Sequence, residues 1–542
     1  MLRTFGFPVL VAGLLAMTGG SVATQQQFPP GYVDPQPILA AAIQAIGNDR
    51  LNCVTISGTA YGGAVGQQRE AGKNVDWPRI DSLANYTRTM NWQARTMKEE
   101  FDRKPGLAPA AWKYGIGWVD GPVQTQTHQT FMLNAADGVY AWHMDGADGP
   151  PVRNEQDVAD IFPVELWMNP HGFLKAAQMP GANPIATWRW ELGEMGRDGP
   201  TTIPEKMHVV QITAPGGFKI DATINKEHML QRMHTLVPDP VLGDLNYEHE
   251  FTNASYIDVG DGIRFPTGWH SHEGYDDNFQ AQNISAGHNA FGGTMEDVRA
   301  NVCPDPVTVP DAVRNTQFPT EPLMTKLADG VYAFERGSYT SVAVEFQSTI
   351  TVFEAPRSED FNLRVIDAIV ELIPNKPIRY VVNSHQHFDA AAGLRAYFHV
   401  GATVITQWKN WELYTRDFIN YAARTVKPDM VSIWPPTELA EGYFYETVRE
   451  NYTIEEAGRV MRIYYVNPLQ HAEGMLMAYL PQEKLLIESD IVNTNNPLPA
   501  TPTPDQQTLF NEVTRLKLDV ERIVPIHGKP IPWGDFARMF PQ

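Results

Sequence analysis

Apolar and polar positions along the chain change their pattern near residue 320. Before it, helical spacing over residues 38–46 gives way to alternation at Val54-Thr55-Ile56-Ser57-Gly58, and alternating stretches recur at 138–142, 207–212 and 218–224. Period-two alternation predicts half-buried strands, and turn clusters at 145–150 and 215–217 separate them. Many strands with few helices predict an α+β domain built on a curved antiparallel sheet. Trp188 and Trp190 alternate in the same way and are expected to pack within that sheet. Residues 301–322 are rich in proline and predict a linker between two domains, 24–310 and 320–542.

Beyond the linker the order becomes that of an α/β domain. Strands are predicted near 330–334, 341–344 and 349–353, then a helix over 363–372 whose Val365, Ile366, Ile369, Val370 and Ile373 would cover a sheet face. Further on, a helix is expected over 506–518.

His385-Gln386-His387-Phe388-Asp389 follows the apolar run 378–382. Residues two apart on a strand point to one side, so both imidazoles are expected to aim at one cation, with Asp389 reaching in from the turn beyond. His471, Asp490 and His527 each sit at or just beyond a short apolar segment, where strand ends would present them on the same rim. Imidazole and carboxylate ligands suit zinc, with iron or manganese as alternatives, and an incomplete ligand set leaves a position for water. A solvated turn explains the five-residue motif taken alone, and the three downstream residues weigh against it.

This ordered series resembles the metallo-β-lactamase-fold hydrolase superfamily, whose pattern is H-x-H-x-D-H followed by a His, a bridging Asp and a final His. The resemblance covers residues 320–542 and implies an αββα sandwich, a first metal site at His385, His387 and His471, and a second at Asp389, Asp490 and His527. One position departs: Ala390 stands where the superfamily usually has a histidine, so the second site loses an imidazole. One tight zinc site with a second, weaker one is expected, and whether one ion binds or two stays open. A metal ion lowers the pKa of water from about 16 to about 7 and polarises the carbonyl under attack. Asp389 would serve as general acid–base. The leading expectation is an exported hydrolase of an ester, lactone, amide or thioester bond. Two alternatives stay open: a mononuclear iron oxidoreductase acting on a sulfur compound, and a non-catalytic binding protein with a degenerate metal site. Residues 230–266 are faintly similar to the half-barrel of periplasmic lipoprotein carriers, although an ordinary packed core explains the same pattern.

Charge narrows the partners. A formal net charge of −21 repels phosphate and argues against nucleic acid, which leaves a small-molecule substrate and an open oligomeric state. Arg3, the apolar run 5–17 and Gly19-Gly20-Ser21-Val22-Ala23 predict a signal peptide cleaved after Ala23 and a periplasmic or secreted product. No later run reaches the ~18 apolar residues of a spanning helix. Cys53 and Cys303 either pair or remain buried thiols. His270 and His272 share a strand face, with Glu273 and Asp276 following, and read as surface polar residues because no further ligand lies at a defined spacing. The aromatic insertion 409–450, with Trp411, Tyr414, Phe418, Tyr421, Trp434, Tyr443 and Phe444, either folds over the metal as a lid or packs as a helical hairpin.

Overall fold

The computed structural model describes residues 28–63, 65–71, 79–103, 127–192, 195–196, 199–200, 204–252, 255–274, 288–415, 424–435 and 445–540. The predicted signal peptide lies outside them. Among the described residues no helix is long and apolar enough to cross a membrane.

Between residues 53 and 300, thirteen strands form one large antiparallel sheet. Two strands far apart in the chain, Cys53–Gly63 and His288–Ala300, pair at its middle, and a Cys53–Cys303 disulfide pins the same junction with the Cα atoms 5.6 Å apart. Two helices bury their apolar positions against one sheet face. The first, Pro35–Ile46, begins earlier than its apolar spacing predicts because the Asp34 side chain accepts the Gln36 N–H at 3.0 Å and proline occupies the first turn. The second, Pro170–Ala177, is capped by Asn169, which accepts the Gly172 N–H at 2.8 Å. Together with Trp92, Phe131, Trp167 and Phe173 these helices fill a continuous core. A cavity of about 20 Å³ beside His249 and Trp269 has room for about one water, so the interior here is packed rather than hollow. Trp188 and Trp190 do not pack as expected: they lie on the edge strand Ile185–Leu192, 42% and 62% exposed, with the Lys206 ammonium 4.5 Å from the Trp188 ring centre.

From Leu323 the chain builds two smaller sheets. The first orders Leu323–Ala328, Val331–Arg336, Tyr339–Glu345, Ile350–Phe353, Ile378–Val382, Thr403–Gln407 and Tyr445–Val448 side by side. Its first three pairings are antiparallel and its last three parallel. The second orders Asn451–Glu456, Arg459–Val466, Met475–Leu480, Leu485–Glu488, Arg522–Pro525 and Ile531–Pro532, with Leu485–Glu488 and Arg522–Pro525 parallel. Val342, Phe353 and Val382 of the first sheet share a buried cluster with Ile463, Leu476 and Ile487 of the second. Helix Glu359–Leu372 buries Val365, Ile366 and Ile369 together with Val352 and Val381, whereas Val370, expected on the same face, points outward and is half exposed. Helix Pro504–Arg515, closed at its start by a Thr503–Gln506 capping box, buries Leu509 and Val513 with Met477 and Ile523.

His171 gives the large sheet a pH-dependent element. It is fully buried between Trp92 and Phe265, its Nε2–H donates to the Arg264 carbonyl at 2.8 Å, and burial pushes its pKa down to about 3. The unfolded chain takes up this proton below pH 6.5 while the folded one does not, so stability is full above that pH and falls as pH drops towards 3. The slope from this group is about 1.4 kcal/mol per pH unit. Denaturant midpoints measured between pH 7 and 4 should show this loss, and His171→Phe should flatten it; an unchanged slope in the variant would rule it out.

Candidate metal centre

The parallel strands aim their C-terminal ends at one region. Strand Ile378–Val382 stops before the histidine motif, so His385 and His387 lie in the loop beyond it and not in strand geometry. The chain leaves the sheet because a buried carboxyl takes over: Glu354 accepts the Ser384 N–H at 2.9 Å and the Asn383 amide at 3.1 Å. Burial holds the Glu354 carboxyl well above its usual pKa range, against the hydrogen bonds from Ser384 and Asn383. The Tyr414 hydroxyl donates to Asn383 from the start of the aromatic insertion. A short helix, Phe388–Ala391, then carries Asp389. It turns away closely at Gly393, where a Cβ would sit 1.9 Å from the Asn362 amide nitrogen.

The other side chains arrive in the same way. His471 lies between strands Arg459–Val466 and Met475–Leu480, on a loop whose Gln470 and His471 N–H groups donate to Asp505 at 2.7 and 2.9 Å. Asp490 follows strand Leu485–Glu488 with φ 58, a left-handed conformation unusual for a residue with a side chain. Glu488 braces that turn by accepting the Ile491 and Val492 N–H groups at 3.1 and 3.3 Å. His527 follows strand Arg522–Pro525, and its Nδ1–H donates to the Ser338 carbonyl at 3.1 Å.

All six predicted residues converge. His471 Nε2 lies 3.1 Å from His387 Nδ1 and 3.2 Å from His385 Nε2. One Asp490 oxygen, Oδ2, lies 3.0 Å from His385 Nε2 and 3.3 Å from His471 Nε2, while Oδ1 lies 2.6 Å from His527 Nε2. Asp389 Oδ2 is 3.2 Å from His527 Nε2. Among the described residues at these strand ends, two groups are close enough to hold a cation, His385–His387–His471 and His385–Asp389–Asp490. Ala390 is buried in the helix, its carbonyl accepting from Asn383 and Ala355, so no imidazole fills that position.

The electrostatics fit a positive guest. Burial, then the neighbouring His385 and His471, hold His387 well below its usual pKa and therefore neutral. Burial pushes Asp490 upward, but the His527 charge and hydrogen bonds from three imidazoles outweigh it and hold the carboxyl well below its usual range. His527 is held well above its usual value because Asp490 and Asp389 outweigh its burial. Asp389 Oδ1 is buried with no hydrogen-bond partner among the described residues. Converging nitrogen and oxygen lone pairs around buried carboxylates are the donor set of a divalent cation.

Sequence reasoning missed a strap from the N-terminal part. The Gln68 carbonyl accepts His387 Nε2–H at 3.0 Å and the Gln386 amide at 2.8 Å. Beside it, the Arg69 carbonyl accepts the Glu473 N–H at 2.7 Å, and Arg69 Nε donates to the Leu469 carbonyl at 2.9 Å. The strap therefore ties together both histidine-bearing loops and turns the Nδ1 lone pair of His387 inward. Little in the pattern of residues 65–71 signals this, because apart from the Arg69 guanidinium the strap makes these contacts through its backbone carbonyls. Tyr339 was also missed: its ring meets His527 edge-on at 5.6 Å.

A cleft of about 810 Å³ flanks the cluster, lined by Arg153 and Glu155 from the N-terminal part and by Arg336, Tyr339, Arg357 and Phe388 from the C-terminal part. None of the six converging residues lines it; Tyr339 and Phe388 stand between. The described part of the insertion docks against the large sheet. Arg424 donates to the Asp239 and Val241 carbonyls at 2.9 and 3.0 Å, and Asp429 accepts from Arg395 and Arg424. Phe418, Tyr421, Tyr443 and Phe444 lie outside the described residues.

No family model matches the chain. Among solved structures, a metallo-beta-lactamase from Pontibacter korlensis is similar at 16% identity and a TM-score of 0.31, covering 40% of this chain and 96% of its own. One from Hirschia baltica is similar at 14% identity and a TM-score of 0.30, with 40% and 96% covered. The DIM-1 metallo-beta-lactamase is similar at 13% identity and a TM-score of 0.32, with 41% and 96% covered. Part of this chain is thus similar to metallo-β-lactamases over nearly their whole length.

Proposed function

We propose that the chain is an exported metallohydrolase with a C-terminal αββα unit. It holds zinc at His385, His387 and His471, with a second, weaker ion at Asp389, Asp490 and His527, and it acts on an ester, lactone, amide or thioester of a small molecule. The observation that supports this most is the meeting of three imidazole nitrogens, two of them beside one oxygen of Asp490, whose other oxygen faces His527. When bound there, a divalent cation supplies the Lewis acidity that makes water a nucleophile near neutral pH.

The protein's own groups do the rest. The Gln68 carbonyl holds the proton of His387 on Nε2, so its Nδ1 faces inward as an acceptor, and the Ser338 carbonyl takes the Nδ1–H of His527, so its Nε2 faces Asp490 and Asp389. Asp490 spans the two groups. The loss of an imidazole at Ala390 accounts for the weaker second ion. The flanking cleft between domains 24–310 and 320–542 falls in the size range of small-molecule sites, about 300–1,000 Å³. A disulfide between Cys53 and Cys303 suits an oxidising compartment outside the cytoplasm.

Elemental analysis of the purified protein, joined to a screen of esters, lactones and β-lactams with and without chelator, tests this reading. Turnover should vanish with chelator and return with zinc, and His387→Ala should lower both zinc content and kcat/KM, the latter by at least about 100-fold. Chelator-resistant turnover would overturn it, and activity restored by ferrous iron alone would move the chain to oxidoreductases. Arg69→Ala should weaken zinc affinity or kcat/KM about tenfold through the loosened strap, with the melting temperature little changed. Equal affinity and activity in that variant would show that the strap does not position His387.

A further inference from the structure

Strand Gly268–Gly274 carries His270 and His272, and its antiparallel neighbour Gly243–Phe251 places Glu250 directly opposite His270. The period of two puts both histidines on one sheet face, and the register adds Glu250 to it. This supplies the third ligand that spacing along the sequence did not reveal. Glu250 Oε2 lies 3.1 Å from His270 Nε2, the two imidazole rings meet edge to face with centres 4.7 Å apart, and one donor atom from each residue falls within 4.8 Å of the others. The ion pair of Glu250 with His270 accounts for two of these side chains. His272, opposite Glu248, brings a second imidazole to the same face with its ring against that of His270.

The platform is rigid. On the opposite face of the same strands Tyr247, His249, Phe251 and Trp269 are buried in the core, so the strand positions are fixed by packing. A register shift between Ser271 and His272 inserts Ala290 of the adjoining strand as an extra residue, a bulge of the kind that re-aims a side chain beside a site. His272 is buried while His270 and Glu250 are 40% and 26% exposed, which leaves the outer side of the trio open to solvent.

We propose that Glu250, His270 and His272 form a second metal site, in a different sheet from the strand-end cluster, for a late first-row divalent ion such as zinc. Two imidazoles and one carboxylate suit zinc, copper or nickel and disfavour magnesium or calcium, which seek all-oxygen shells. With three protein ligands, the remaining positions go to water or to a donor group of a ligand.

The test is zinc stoichiometry and affinity of the full-length protein after stripping and reloading. It compares the wild type, His385→Ala/His387→Ala, His270→Ala/His272→Ala and all four substitutions together. The strand-end variant should bind one zinc per chain more than the four-fold variant, through the sheet trio. The His270→Ala/His272→Ala protein should keep its hydrolytic activity while binding one zinc fewer. Glu250→Gln, which preserves shape, should weaken the retained zinc at least tenfold, and cobalt(II) loaded in its place should show an absorption band that this substitution shifts. If the strand-end variant binds zinc no better than the four-fold variant, or if magnesium at millimolar levels displaces the ion, the trio is a polar surface patch and the proposal fails. That failure leaves the hydrolase reading untouched, because the strand-end variants report on it separately.

Discussion

Everything in the C-terminal part depends on lone pairs meeting out of reach of water. With His387 protonated on Nε2 by the Gln68 carbonyl, its Nδ1 lone pair faces His471 Nε2 at 3.1 Å, and His385 Nε2 closes in from the other side at 3.2 Å. Buried Asp490 sits against two of these nitrogens, His385 Nε2 and His471 Nε2, and buried Asp389 sits against His527 Nε2. Such an arrangement repels itself unless a cation or shared protons lie within it, and burying charge without compensation costs several kcal/mol. The fold keeps it in place with three further carboxyl groups: Glu354, Glu488 and Asp505 each accept backbone N–H groups from a loop that carries a converging residue.

Much of this could be read along the chain. Each of the six residues follows a short apolar segment, and strand ends of one layered unit do gather such positions on one rim. The strand-period argument for His385 and His387 was nevertheless the wrong geometry. The Asn383 N–H still pairs with the Ile405 carbonyl, Glu354 then takes the Ser384 N–H, and the rings converge from the loop beyond. What stayed illegible was everything set by register or by backbone atoms. Glu250 opposite His270 is a matter of strand pairing, and the Gln68 carbonyl is present whatever side chain residue 68 carries. Trp188 and Trp190 misled because alternation shows that a strand has two faces but not which of them is covered.

The two parts of the chain are coupled at the site. The strap of residues 67–69 crosses from the large sheet onto both histidine loops, and Arg424 and Thr425 of the aromatic insertion fasten back onto Asp239, Val241 and Asp244. Arg357 and Arg336 reach Glu155 across the cleft. The large sheet therefore shapes the site through position: it fixes the tautomer of one imidazole and forms one wall of the cleft beside it.

Anomalous X-ray scattering at the zinc edge from crystals of the zinc-loaded protein tests the central claim most directly. A strong peak bounded by His385 Nε2, His387 Nδ1 and His471 Nε2 is expected, with any weaker neighbour lying towards Asp389 and His527. A zinc-loaded crystal with no peak among those three nitrogens would contradict it.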